Sequence, residues 1–90
     1  MVAGKNSGRS LRDPRGGKLL RISSAAKAAG VNNRSIEYYV MLGLIKPIRP
    51  PGRRSRYFDD KLIRRIRLIR QLNDSGYTLR DIRETYLRRL

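Results

Sequence analysis

Five aliphatic residues in the second half of the chain recur at the spacing of a single helical face. They are Leu62, Ile63, Ile66, Ile69 and Leu72. Most arginines of the same segment fall elsewhere on the helix. Asp59 or Asp60 is suited to cap this helix, and Gly76 is suited to end it. The pattern predicts an amphipathic helix over residues 60–75 with a basic outer face.

A shorter helix is predicted directly after this one. Thr78 is a favoured N-cap residue, and Asp81 stands three positions later, as in a shortened capping box. The expected inward stripe consists of Leu79, Ile82 and Tyr86, with Leu90 one turn further on. We expect these two helices to form a supporting pair.

Two short helices joined by a glycine turn are predicted in the first half of the chain. One runs to Ala29 and the other to about Leu42. The residues suited to cap or end them are Ser23 or Ser24, Gly30, Asn32 or Asn33, and Gly43. Two short helices that cross at a tight turn are typical of proteins that insert a helix into the DNA major groove.

A turn separates the two helical pairs. Pro50-Pro51-Gly52 is a turn signal, and the flanking segments Ile48-Arg49 and Arg56–Phe58 are short enough for a two-stranded hairpin. The predicted order is helix, helix, hairpin, helix, helix. This order is a mainly α, winged helix-turn-helix domain over residues 19–90. Residues 1–18 are rich in Gly, Ser, Arg and Lys, so we expect a disordered basic arm, either contacting phosphates or without a role.

Composition adds a strong positive charge. The 90 residues include 22 Lys and Arg against 7 Asp and Glu, a formal net charge of +15. This balance favours nucleic acid as the partner over a merely solvated surface or acidic lipid. There is no Cys and no His, so the usual thiolate metal ligands and general base are missing. We therefore expect no enzymatic activity, no metal and no cofactor.

The apolar runs of the sequence are short. None exceeds five residues, which predicts neither a membrane span nor a secretory signal. The expected location is the cytoplasm, in association with the nucleoid.

Several short motifs follow one another between Leu20 and Leu87. They are Ala26-Lys27-Ala28-Ala29-Gly30-Val31, Arg34-Ser35-Ile36, Tyr38-Tyr39, Gly43-Leu44-Ile45 with Pro47, Arg56 two residues before Phe58, Ile69-Arg70 with Leu72, and Gly76-Tyr77-Thr78-Leu79 with Ile82. In this order they resemble the N-terminal DNA-binding domain of the mercury-resistance-regulator (MerR) family. The resemblance covers most of the chain.

The resemblance implies a regulator of transcription that binds double-stranded DNA. It places the second helix in the major groove and the hairpin wing on the flanking backbone or in the minor groove. Carried over by position, the contacts fall to Asn33, Arg34 and Ser35 at base edges or nearby phosphates, Tyr38 at a phosphate, Tyr39 in a partly structural role, and Arg56 as the phosphate clamp of the wing.

One position departs from the family pattern within the predicted recognition helix. Family members commonly carry a basic residue before the tyrosine pair and an acidic one after it, where this chain has Glu37 and Val40. A carboxylate that faces phosphates would repel DNA. Either Glu37 turns toward a neighbouring cation such as Arg34, or the docking differs in detail.

Physical arguments single out the same side chains. Arg34 lies in the first turn of its helix, where it can grip guanine with two hydrogen bonds, a discrimination of about 1–3 kcal/mol. Tyr38 and Tyr39 are adjacent, so one should pack in the core while the other offers its hydroxyl to a phosphate or a partner. The cations that crowd the turn, and so favour phosphate or a narrow minor groove, are Lys46, Arg49, Arg53, Arg54 and Arg56. At most one or two of Arg64, Arg65, Arg67 and Arg70 are expected to reach DNA.

Two alternative functions remain open. One is an excisionase-like architectural protein that bends DNA for recombination; a heptad-patterned helix after Leu90 would argue against it. The other is a basic RNA-binding module, which would need aromatic residues on an exposed sheet. A homodimer or multimer on DNA is possible through the end of the fourth helix, around Tyr86, Leu87 and Leu90.

Overall fold

The computed structural model describes residues 10–12 and 18–86, and these residues form a mainly helical winged helix-turn-helix, as predicted. The elements in chain order are β1 (Ser10–Arg12), β2 (Lys18–Leu20), α1 (Ile22–Ala29), α2 (Asn33–Met41), α3 (Asp60–Asp74) and α4 (Leu79–Asp81), and α4 continues as a π-helical segment, Ile82–Tyr86. An extended loop between α2 and α3, residues 46–58, is the wing. The helix-turn-helix consists of α1, the turn at Gly30 and α2.

Short polar side chains cap three of the helices. Asn32 accepts a hydrogen bond from the Ser35 N–H at 2.8 Å and so begins α2. Asp59 does the same for α3, and Thr78 does so for α4. Each of these capping residues has an extended backbone, as an N-cap requires. Of the two candidate caps for α2 and for α3, the first in sequence is the cap in both cases.

The start of α1 differs from the prediction that Ser23 or Ser24 is its cap. The helix begins at Ile22, two residues earlier than a Ser23 cap would place its start, and its N-cap, Arg21, makes no side-chain capping bond. The reason lies before the helix, where Leu20 exchanges two backbone hydrogen bonds with Phe58, at 2.9 and 2.7 Å. This bridge holds the chain extended as far as Leu20, so the helix begins directly afterwards and both serines fall in its first turn.

The N-terminal strand β1 was not predicted. It pairs antiparallel with β2, with Ser10 opposite Leu20 and Arg12 opposite Lys18. The composition of residues 1–18 predicts no regular structure there, because these residues cannot build a core. Backbone pairing needs no such core, since the exposed edge of β2 supplies the hydrogen-bonding groups. Residues 1–9 and 13–17 of the predicted arm lie outside the described residues.

The core is built from small residues on α1 and large residues elsewhere. Ala25, Ala26 and Ala29 are buried, so α1 presents methyl groups and packs against both α2 and α3. The larger buried side chains are Ile36, Tyr39, Leu44, Ile45, Phe58, Leu62, Ile63, Ile66, Ile69 and Ile82. The predicted inward stripe of α3 is thus confirmed, with Leu72 at its partly buried end. Burial of these side chains fixes how α2 stands relative to the wing.

The wing is simpler than the predicted two-stranded hairpin. A single antiparallel bridge closes it, in which Ile48 and Tyr57 exchange two backbone hydrogen bonds of 2.8 Å. At its tip, the Arg53 N–H donates to the Pro50 carbonyl at 3.1 Å, and Gly52 has a φ of +79°. The prolines on one side of the loop have no backbone N–H to donate, so the antiparallel pairing cannot extend beyond this single bridge. Tyr57 and Phe58 are buried and attach the wing to the core.

Candidate nucleic-acid interface

One face of α2 projects into solvent with a mixed chemical character. Its exposed residues are Arg34, Glu37, Tyr38 and Met41. They recur every three to four positions, whereas Ile36 and Tyr39 on the opposite side are buried. We call these four residues the exposed face of α2. An exposed face of this width, on the second helix of a helix-turn-helix, has the form of a recognition surface.

The first turn of α2 holds the three residues predicted to approach base edges. Arg34 and Asn33 are exposed, and Ser35 is half-buried. The side-chain amide of Asn33 donates a hydrogen bond to the Ser23 hydroxyl at 3.2 Å. Asn33 is therefore partly engaged in joining α2 to α1, whereas Arg34 is exposed.

The two adjacent tyrosines have opposite environments. The Tyr38 residue is 47% exposed and Tyr39 is 5% exposed. Burial raises the pKa of the Tyr39 phenol, while the positive charge of Arg70 lowers it and the charge of Asp74 raises it. Tyr39 is thus a core residue, in line with the structural role that the resemblance implies. Tyr38 is the tyrosine that can offer its hydroxyl to a partner.

The carboxylate of Glu37 is paired with the wing. Arg56 donates from Nη1 to Oε1 at 2.9 Å and from Nη2 to Oε2 at 2.7 Å, a two-point salt bridge. These hydrogen bonds lower the pKa of the Glu37 carboxyl below its ordinary value and raise that of the Arg56 guanidinium. Glu37 therefore turns toward a cation, which is one of the two alternatives that the sequence left open. The cation is Arg56 rather than Arg34.

Beside this salt bridge lies a basic cleft. Four guanidinium groups line a space of about 220 Å³, together with Ile22 and Ser55; they are those of Arg21, Arg49, Arg54 and Arg56. Arg21 donates a hydrogen bond to the Ser55 hydroxyl at 3.3 Å, which ties the start of α1 to the wing. We call this space the basic cleft. Its concentration of positive charge suits a phosphate group.

Sequence reasoning missed Arg21 as a member of this cleft. Arg21 is 34 positions from Ser55, and only the Leu20–Phe58 bridge brings the two segments together. Lys46 and Arg53 are exposed on the wing but do not line the cleft. The available sequence signal was an arginine directly before a predicted helix, which alone does not indicate a binding site.

Two of the α3 arginines have structural partners. Arg67 donates to the Ala28 carbonyl, and Arg70 donates to the Gly30 carbonyl and to Asp74. These contacts hold α3 against the end of α1 and the glycine turn. Arg64 and Arg65 lie instead on the outer face of α3, beside Lys61 and Leu68. Arg67 and Arg70 are therefore engaged within the fold.

Most of the predicted self-association surface lies outside the residues that the structure describes. Leu87, Leu90 and the side chain of Tyr86 lie outside the described residues. Within residues 10–12 and 18–86, no helix is long and apolar enough to cross a membrane. Over the same ranges, no group of acidic side chains is placed to hold a metal ion.

Comparison with known proteins finds the same helix-turn-helix. A family model described as "MerR HTH family regulatory protein" matches residues 20–88. The chain is 36% identical over 73 residues to the HTH-type transcriptional regulator CueR of Bacillus subtilis, covering 81% of this chain and 50% of that protein. It is 32% identical over 65 residues to the HTH-type transcriptional regulator HmrR of Sinorhizobium medicae, covering 72% of this chain and 44% of that protein. The chain thus spans about half the length of the curated relatives it matches.

Proposed function

The chain belongs to the MerR family of helix-turn-helix regulatory proteins, and from this premise we propose that it binds double-stranded DNA sequence-specifically as part of a transcriptional regulator. The observation that carries the proposal is the position of the basic cleft beside the exposed face of α2. The Glu37–Arg56 salt bridge joins the two surfaces directly. A helix in the major groove would therefore bring the cleft to the adjacent backbone.

The exposed face of α2 supplies the sequence-reading part of the proposal. Arg34 in the first helical turn would donate two hydrogen bonds to a guanine, since base contacts in helix-turn-helix proteins cluster at that end. Tyr38 lies one turn further along, and its exposed hydroxyl suits a phosphate oxygen. Specificity would come mainly from Arg34.

The basic cleft supplies most of the affinity. Arg21, Arg49 and Arg54 would neutralise phosphates and release bound counterions, which makes binding weaken steeply as salt rises. The Ser55 hydroxyl can donate a hydrogen bond to a phosphate bound in the cleft. Lys46 and Arg53, exposed elsewhere on the wing, would extend this contact along the backbone.

The oligomeric state and location form part of the same proposal. A two-fold pair of helix-turn-helix units would read two half-sites, so we propose a homodimer on DNA that forms through the chain following α4, around Tyr86, Leu87 and Leu90. A protein bound to chromosomal DNA would act in the cytoplasm, in association with the nucleoid.

Selection of bound duplexes from a random DNA library tests this function. We expect an enriched motif, and a palindromic motif would indicate the proposed dimeric regulator. A short unpaired motif or direct repeats would favour an architectural, excisionase-like role instead. The enriched duplex should then be competed against a structured RNA at matched salt, and preference for the RNA would contradict DNA binding.

A further inference from the structure

Glu37 places a negative charge on the surface proposed to face DNA. Its side chain is 52% exposed, and that of its partner Arg56 is 28% exposed. A carboxylate at this position would repel phosphates if it were free. The side chain is instead held at the wing by two hydrogen bonds of 2.9 and 2.7 Å.

The salt bridge occupies the terminal edge of Arg56, one of the edges through which a guanidinium can bind a phosphate. A guanidinium grips a phosphate or a carboxylate in the same way, through two parallel N–H donors. In Arg56 both terminal nitrogens already point at the two oxygens of Glu37. The carboxylate thus stands where a phosphate oxygen pair would stand, and the two anions compete for one site.

The other cations of the cleft are not paired in this way. Arg21 donates to the neutral hydroxyl of Ser55, and this bond leaves its charge uncompensated. Arg49 and Arg54 are exposed at the cleft, and the described salt bridges do not include them. Phosphate binding in the basic cleft therefore falls to these three residues.

We infer that Glu37 is an intramolecular competitor for phosphate at Arg56, which removes one cation of the wing from DNA binding. This inference rests on the proposed function. An Arg56–phosphate contact would form on any sequence, because phosphates carry no sequence information. Glu37 thus lowers the affinity for bulk DNA without adding or removing a base contact, and it sets the number of phosphates that the protein neutralises.

The salt dependence of binding measures that number directly. Dissociation constants for a random duplex are determined over a range of KCl concentrations for the wild type, Glu37→Gln, Arg56→Gln and the double variant. The logarithm of the association constant falls linearly with the logarithm of the salt concentration. We expect Glu37→Gln to steepen this slope by about one unit, the effect of one added phosphate contact on B-DNA. Arg56→Gln alone frees the Glu37 carboxylate and should weaken binding, whereas the double variant, which lacks both charges, should keep the wild-type slope.

Two further variants serve as matched controls. Asp74→Asn removes a carboxylate from another arginine salt bridge, that with Arg70, away from the cleft, and should leave the slope unchanged. Arg54→Gln removes a cleft cation without a carboxylate partner and should flatten the slope by about one unit. Thermal unfolding of each variant confirms that the domain is folded under the assay conditions.

The outcomes separate this inference from the function it rests on. If the double variant has a slope flatter than that of the wild type by a full unit, Arg56 contacts phosphate in the native complex and the inference is wrong. It is equally wrong if Glu37→Gln behaves like Asp74→Asn. In both cases salt-dependent binding by the wild type, together with a flatter slope for Arg54→Gln, would leave the proposed function intact. A wild type without duplex binding would overturn both.

Discussion

The guanidinium of Arg67 in α3 donates two hydrogen bonds, of 3.2 and 2.8 Å, to the backbone carbonyl of Ala28 in α1. Ala28 lies in the last turn of its helix, where carbonyl groups lack partners within the helix. A cation at this end also interacts favourably with the helix dipole. The contact therefore closes α1 and supports the turn that leads into α2.

Replacement of Arg67 by methionine should destabilise the domain. This change keeps the apolar stem of the side chain but removes its donors, and we expect the free energy of unfolding to fall by about 1 kcal/mol. Urea denaturation measures the change. Arg64→Met, on the outer face of the same helix, is the control and should stay within about 0.5 kcal/mol of the wild type. Equal losses would show that Arg67 has no special role.

Shortening one side chain on the buried face of α2 and one on its exposed face should have unequal effects on stability. Ile36 is 0% exposed, so Ile36→Ala leaves a cavity and should cost about 2–5 kcal/mol. Met41 is 71% exposed, and Met41→Ala should change stability by less than about 0.5 kcal/mol. Chemical denaturation followed by circular dichroism compares the two. A large loss for Met41→Ala would indicate that this side chain is covered in solution.

Arg34 and Arg54 should differ in what they contribute to DNA binding. Arg34→Ala should relax sequence preference and cost about 1–3 kcal/mol on the selected duplex, with little change on a random one. Arg54→Ala should weaken binding to both duplexes alike, because phosphate contacts are independent of sequence. Fluorescence anisotropy titrations with both duplexes give the comparison. Equal losses of Arg34→Ala on the two duplexes would contradict a base contact.

Removal of the Tyr38 hydroxyl should weaken DNA binding without unfolding the domain. Tyr38→Phe deletes one donor to a charged phosphate, a contact worth about 1.5–3 kcal/mol. The ring is half exposed and stays in place, so the unfolding temperature should hardly change. Binding to random and selected duplexes should weaken by the same factor. Unaltered affinity would show that this hydroxyl does not reach the backbone.

The acid titration of Glu37 should report its salt bridge. The Arg56 hydrogen bonds hold the pKa of this carboxyl below its ordinary value. The bridge therefore adds stability above the ordinary glutamate pKa and loses it as the pH falls through the lowered value. Carboxyl carbon NMR shifts follow the titration directly. In Arg56→Gln the midpoint should move upward, and an unchanged midpoint would mean that the bridge is absent in solution.

The helices could be predicted from the sequence because their signals are local. The spacing of Ile63, Ile66 and Ile69 defines one face of α3, and Thr78 marks the next helix, three residues before Asp81. These signals depend on residues a few positions apart, and the structure confirms them. The helices and the core-facing side of α3 could therefore be predicted from the sequence alone.

The features that sequence reasoning missed depend on distant pairings. Glu37 and Arg56 are 19 positions apart, whereas Arg34, the cation that the sequence suggested, is only three positions from Glu37. The early start of α1 depends on the bridge between Leu20 and Phe58, which local capping preferences cannot reveal. The position of Arg21 in the basic cleft follows from the same bridge. Side-chain pairing across the fold was the information that the linear pattern lacked.

The internal hydrogen bonds of the arginines change how the charge of this protein should be counted. Arg67 and Arg70 bind backbone carbonyls, and Arg56 is neutralised by Glu37. The total of 22 Lys and Arg residues therefore overstates the number of cations free to meet a polyanion. The electrostatic valence of the domain toward DNA is a property of its fold, so two chains of equal composition could differ widely in it.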